Sequence, residues 1–158
     1  MYKSVLVALD GSPWAASVLP FIEQIAGPLD MEVILLHVVQ PLPITALSAV
    51  RRSAEDDLRV RTAEAHDYLA PVVTELRGKG IRARTDVRVG DDPCQEILAG
   101  ARETGAGFIA MSTHGRGGLS RMLIGSVADA VQRQAEIPVF LMRTTERELA
   151  RRRCSATP

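Results

Sequence analysis

Five short apolar runs punctuate this chain, and the stretches between them carry apolar residues at spacings of three and four. Val5 to Leu9 and Val33 to Val39 are nearly unbroken, the pattern of strands buried on both faces. Phe108 to Met111 and Val139 to Met142 read the same way, while Ile81 to Val89 alternates. A strand with no polar face needs cover on both sides, and helices threaded between consecutive strands supply it. The order βαβαβαβαβ therefore predicts an α/β fold: a single-domain, open, parallel five-stranded sheet with right-handed crossovers and helices on both faces.

Turn chemistry sets the boundaries. Asp10-Gly11-Ser12-Pro13 ends the first strand, and Pro13 fits the first turn of a helix, where a missing N–H costs nothing. That helix is expected to run to about Ala26, close at Gly27-Pro28, and turn Val18, Phe21, Ile22 and Ile25 inward. Residues 40 to about 53, with Pro41 and Pro43, read as a loop. Leu58, Thr62, Ala65, Leu69, Val72 and Leu76 then mark a long helix, which Pro71 is expected to kink or break before Gly78 and Gly80 end it. Asp92 as N-cap, Pro93 at N1 and Gln95 at N3 start the next helix, with Ile97, Leu98 and Ala101 facing inward. A last helix is expected from Ser126 to about Gln134.

Length and charge then exclude several functions. A chain of 158 residues suits one domain with a full core. Residues 1–143 are expected to form it, and 144–158, with Arg151 to Arg153, a polar tail. Nineteen basic residues cancel nineteen acidic ones, so no global field draws the chain to nucleic acid or an anionic membrane, and any anion must be held locally. The N-terminus lacks a signal-peptide core and no apolar stretch approaches the ~20 residues of a membrane span. A cytoplasmic location is expected. Cys94 and Cys154 lack a paired spacing, and Cys94 reads as a small buried hydrophobe. His37, His66 and His114 have no ligand spacing for a metal.

In a doubly wound sheet, ligands sit beyond the carboxyl ends of the strands, where the strand order reverses. The segments to inspect are those at Asp10, Val38, Gly90 and Ser112 to Ser126. The last is the most informative: Met111-Ser112-Thr113-His114-Gly115-Arg116-Gly117-Gly118, then Gly125-Ser126-Val127 at a helix start. Glycines let backbone N–H groups approach a phosphate, and a helix N-terminus adds partial positive charge. Arg116 adds a full one. Equally, the glycines make a turn and Ser126 with Asp129 forms a capping box with no ligand involved. Neither G-x-x-x-x-G-K-[ST] nor G-x-G-x-x-G is present.

Taken together, Val7-Ala8-Leu9-Asp10-Gly11-Ser12, Leu35-Leu36-His37-Val38, Gly90-x-x-Pro93, Thr113-His114-Gly115 to Gly125-Ser126-Val127 and Ile137-Pro138-Val139 resemble the universal stress proteins over Val5 to about Arg143. The resemblance implies a Rossmann-like fold of the adenine nucleotide alpha hydrolase type and ATP as ligand. The family signature G-x-x-G-x(9)-G-[ST] falls on Ser112, Gly115, Gly125 and Ser126, with Ser112 in place of the first glycine. By the same resemblance, Asp10 would hold ribose hydroxyls or a phosphate-bound Mg²⁺, and Ala8 and Leu9 would line the pocket beside Met111. The main chain at Val38 would read adenine. Ser112 through Gly118, including His114, would wrap the phosphates, with Gly125, Ser126 and Val127 closing the site. A homodimer through Val139 to Arg143 is implied. The expected function is a nucleotide-binding regulatory module of the stress response. The alternatives are a nucleotide-free dimeric interaction protein and a slow ATP-hydrolysing enzyme on the same fold.

Overall fold

The computed structural model describes residues 2–41, 48–115, 126–145 and 150. Its elements are β1 (Ser4–Ala8), α1 (Pro13–Ala16), α2 (Leu19–Ala26), β2 (Glu32–Val39), α3 (Ser48–Gly78), β3 (Ala83–Val89), α4 (Pro93–Thr104), β4 (Phe108–Gly115), α5 (Ser126–Gln134) and β5 (Val139–Thr145). The five strands form one sheet in the order β3-β2-β1-β4-β5, every neighbour parallel, as the alternation of strands and helices predicts.

Two apolar layers hold the sheet. Val5 and Val7 of β1 face Val18, Ile22, Leu69 and Leu76 from α2, α3 and the turn before α2. Leu6 and Ala8, one residue out of phase, face Ile97, Leu98, Ala128 and Val131 from α4 and α5. The period of two sends consecutive side chains to opposite faces, so an unbroken aliphatic run fills both layers at once.

The expected single helix over 13–26 is two helices. Pro20 has no N–H to offer the Ala16 carbonyl, and its ring collides with that carbonyl in a continuous helix. The chain closes α1 with the Ser17 N–H on Trp14 O at 3.1 Å and restarts at Leu19. Ser12 caps α1, its Oγ accepting from Ala15 N at 3.1 Å. In α3 the opposite correction applies: the helix is continuous through Pro71. Pro71 and Asp67 are both exposed, so water can satisfy the carbonyl that Pro71 leaves without a donor. The helix also begins at Ser48, inside the expected loop.

Both final strands outrun their expected limits. β4 continues to Gly115, so Ser112 to Gly115 are strand rather than loop, paired rung by rung with Met142 to Thr145 of β5. Thr144, expected in the polar tail, is 2% exposed inside the sheet. At α4 the expected cap is in place: Asp92 Oδ1 accepts from Cys94 N at 2.9 Å and Gln95 N at 3.3 Å. Gln95 does not complete the reciprocal box; its Nε2 donates to Gln134 Oε1 of α5 at 2.9 Å.

Helix α4 lies close against β2 at Gly100, where an added Cβ would stand 2.5 Å from Leu36 Cδ1. Leu36 is itself buried in the apolar layer. Gly100→Val is expected to destabilise the fold by about 1–3 kcal/mol through overpacking, read as a lower urea midpoint; an unchanged midpoint would show that the layer can relax.

Candidate functional site

The chain runs from β1 outward through β2 to β3, then crosses to the other flank of β1 for β4 and β5. The order therefore reverses between β1 and β4, and a crevice opens beyond their carboxyl ends, where adjacent connections leave to opposite faces. A cavity of about 340 Å³ occupies that place. Ala8, Leu9 and Asp10 line it from the end of β1, Leu36, Val38 and Gln40 from β2, and Met111 and Ser112 from β4. Ala15 comes from α1, Pro93 and Ile97 from α4, and Ser126, Val127 and Ala128 from α5.

Backbone parity decides what β2 offers this cavity. On a parallel strand, successive residues direct their N–H and C=O groups to alternate neighbours. Glu32 N donates to Lys3 O at 2.9 Å and Leu36 O accepts from Leu9 N at 2.8 Å, so even-numbered residues of β2 face β1. Val33 N donates to Arg82 O and Gly90 N to Val39 O, so odd-numbered ones face β3. The last β1 rung is Ala8 with Leu36. Val38, two residues on, thus directs its N–H and C=O past the end of β1, at the cavity wall.

Asp10 shapes the turn beneath. Its Oδ1 accepts from Ser12 N at 2.9 Å, and Gly11 takes φ +81°, a left-handed conformation that favours glycine. On the far wall, the first residues of α4 and α5, Pro93 and Ser126, border the cavity, so the positive ends of two helix dipoles lie beside it. Cys94, at the α4 start, is buried, and desolvation first, then the Asp92 charge, pushes its thiol pKa up. The helix end does not activate it.

Eight of the residues picked from sequence share this wall: Ala8, Leu9, Asp10, Val38, Met111, Ser112, Ser126 and Val127. His114 and Gly115 continue β4. Arg116, Gly117, Gly118 and Gly125 lie outside the described residues. Sequence reasoning missed Ala15, Leu36, Gln40, Pro93, Ile97 and Ala128 as wall residues. For Pro93 and Gln40 a signal existed, since each follows a strand end; Leu36 and Ile97 read as core, and nothing in the sequence singled out Ala15 or Ala128.

A second cavity of about 320 Å³ lies on the α3 side of the β2 end, lined by Gly11, His37, Val38, Val39, Arg61, Glu64, Ala65 and Tyr68. His37 Nδ1 and Tyr68 Oη are buried there without a hydrogen-bond partner among the described residues. The two cavities meet at Val38, and a bond spans them: Arg61 Nη1 donates to Gln40 O at 2.7 Å while Gln40 Nε2 donates to Asp91 O at 3.0 Å.

The class defined by this fold is the doubly wound α/β domain with a crevice at its switch point. The chain belongs to the universal stress protein family, whose pattern matches residues 1–143. Universal stress protein MJ0531 of Methanocaldococcus jannaschii is 30% identical over 148 residues, covering 94% of this chain and 86% of that protein. The solved structure of MJ0577 superposes with a TM-score of 0.75 at 28% identity, covering 92% of this chain and 99% of that one. A universal stress protein from Archaeoglobus fulgidus in complex with dAMP shares the fold, with a TM-score of 0.62 at 23% identity, over 89% of this chain and 97% of that one.

Burial lowers the His37 pKa from its ordinary 6.5, against the pull of the Asp10 carboxylate and with the aid of Arg61. The unfolded chain therefore takes up this proton first as pH falls. The stability from keeping His37 neutral is fully present above pH 6.5 and is lost as pH falls through the depressed folded value. His37→Gln is expected to flatten the loss of unfolding midpoint between pH 7.5 and 5; identical slopes in both proteins would assign that loss to other groups.

Proposed function

We propose that this chain is an adenine-nucleotide-binding regulatory module with ATP as ligand, held in the cavity beyond β1 and β4. The observation that carries the reading is the main-chain edge of Val38. One N–H and one C=O directed past the last β1 rung match the adjacent acceptor and donor on the adenine edge, whatever the side chain. Asp10, one turn away, is placed to accept from ribose hydroxyls or to meet a phosphate-bound Mg²⁺. The helix starts at Pro93 and Ser126 favour an anion on the opposite wall, where the motif positions Gly115, Gly125 and Ser126 would close on the phosphates. The volume of about 340 Å³ falls within the range of small-ligand sites, and the dAMP complex of a protein with this fold supports an adenine nucleotide as the class.

ATP in this reading is a held effector rather than a rapidly consumed substrate. Fast phosphoryl transfer needs charge neutralisation along the phosphates and a positioned nucleophile, and Asp10 is the one carboxylate on the described wall. A stress-response role in the cytoplasm rests on family membership. Among the described residues no helix is long and apolar enough to cross a membrane.

Denaturing extraction of freshly purified protein, followed by chromatography, is expected to release ATP or AMP. Asp10→Asn keeps an acceptor for the Ser12 N–H and removes the charge. It is expected to weaken ATP binding about tenfold by calorimetry without lowering the ligand-free melting temperature. Absence of nucleotide together with no binding at millimolar ATP would overturn the reading.

The reading includes a homodimer through Val139 to Arg143. Among the described residues β5 pairs with β4 alone, and its Val139, Phe140, Leu141 and Met142 are only half-buried. An apolar edge of this kind is a template for a second strand. Leu141→Lys, which keeps the backbone N–H, is expected to elute as a monomer, as is the harsher Leu141→Pro; unchanged elution of both would remove the dimer from the proposal.

A further inference from the structure

The position where this chain departs from the family signature is the one the structure explains most fully. Ser112 stands in place of the first glycine, and its side chain joins two other hydroxyls. Ser17 Oγ lies 2.9 Å from Ser112 Oγ and 2.7 Å from Thr144 Oγ1, and Ser112 Oγ lies 3.3 Å from Thr144 Oγ1. Ser17 Oγ also donates to Trp14 O at 2.6 Å. Ser17 and Thr144 are buried, at 4% and 2% exposure. The cluster joins three pieces of chain: the break between α1 and α2, the cavity end of β4, and the outer strand β5.

Three hydroxyl protons serve these four contacts, which fixes their direction. A carbonyl only accepts, so Ser17 gives its proton to Trp14 O. Ser17 then accepts in its contacts with Ser112 and Thr144, which are the donors there. Ser112 to Thr144 is left without a proton of its own, and it is the longest of the four. In that arrangement the Ser112 O–H is directed to Ser17.

We infer that Ser112 is a positioning residue: through Ser17 and Thr144 its hydroxyl braces the cavity end of β4 against β5 and α1, holding the backbone that meets the nucleotide. This rests on the nucleotide reading for its ligand, and on the hydroxyl geometry alone for the brace. Alternation along β4 puts Ile109 and Met111 in the layer of α4 and α5 and Ala110 in the layer of α2 and α3. Ser112 follows Ala110 in phase, and its hydroxyl accordingly meets Ser17 on that face.

ATP affinity by calorimetry, well below the melting temperature, separates brace from obstruction. Ser112→Gly restores the family signature and Ser112→Ala keeps the Cβ alone. Thr144→Val alters β5, which contributes nothing to the described cavity wall. The brace predicts that all three weaken ATP about three- to tenfold, the weight of one or two hydrogen bonds, and that Thr144→Ser restores wild-type affinity. Tighter binding by Ser112→Gly, or unchanged binding by Thr144→Val, would overturn it. Hydrogen exchange of the ligand-free protein reads the brace without nucleotide: faster exchange at residues 112–115 in Thr144→Val is expected, and unchanged exchange would overturn the brace. Absence of ATP binding in every form, wild type included, would instead sink the nucleotide reading and leave exchange to decide the brace.

Discussion

The structure depends on β1, five residues buried without exception. It is the strand that touches both halves of the sheet, pairing with β2 over Ser4 to Ala8 and with β4 over Val5 to Val7. Its odd and even side chains anchor separate apolar layers. Its early end creates the crevice: β2 and β4 each run on past it, and the space between their ends has walls on both sides and a floor at Ala8 and Leu9. The crevice is thus a consequence of unequal strand lengths in a close-packed sheet.

The fold was legible because aliphatic runs and turn residues are strong local signals, and Asp92-Pro93 marked its helix start to the residue. Pro20 was legible too, since its missing N–H forbids the helix that Val18, Ile22 and Ile25 suggest; periodicity outweighed a breaker that sat inside it. At Pro71 the same rule misled, because a proline on the solvent side of a long helix leaves its carbonyl to water. Pro20 and Pro71 are both exposed; the two sites differ at the residue whose carbonyl loses its donor, Ala16 being half-buried and Asp67 exposed. The length of β4 was hidden by polarity: Ser112 and Thr113 read as loop, whereas the Ser112 hydroxyl meets Thr144 of β5 and Ser17 at the end of α1, which makes a polar residue acceptable within the sheet.

For the candidate site, residues that follow strands or carry the signature were found, and those that double as core were not. Leu36 and Ile97 serve the apolar layer and the cavity wall together, so no sequence feature distinguishes the second role from the first. Gln40 and Arg61 illustrate a different limit. Their contact crosses from one cavity to the other, and such a link depends on the middle of α3 approaching the end of β2, a distance that no local pattern encodes.

The alternation of backbone direction along β2 carries a consequence for how such a site can diverge. A ligand held, as proposed, by the N–H and C=O of Val38 takes its hydrogen bonds from the main chain and asks of the side chain only that it fit the two cavity walls and the apolar layer it packs against. What such a reading does demand is that β2 stay extended two residues beyond the last β1 rung, because the peptide groups at every second position face that side whichever residue fills it. Loss or gain of a single residue before that point would hand the same N–H and C=O to a different residue, so the proposed recognition would be kept by the length of the strand rather than by any amino acid.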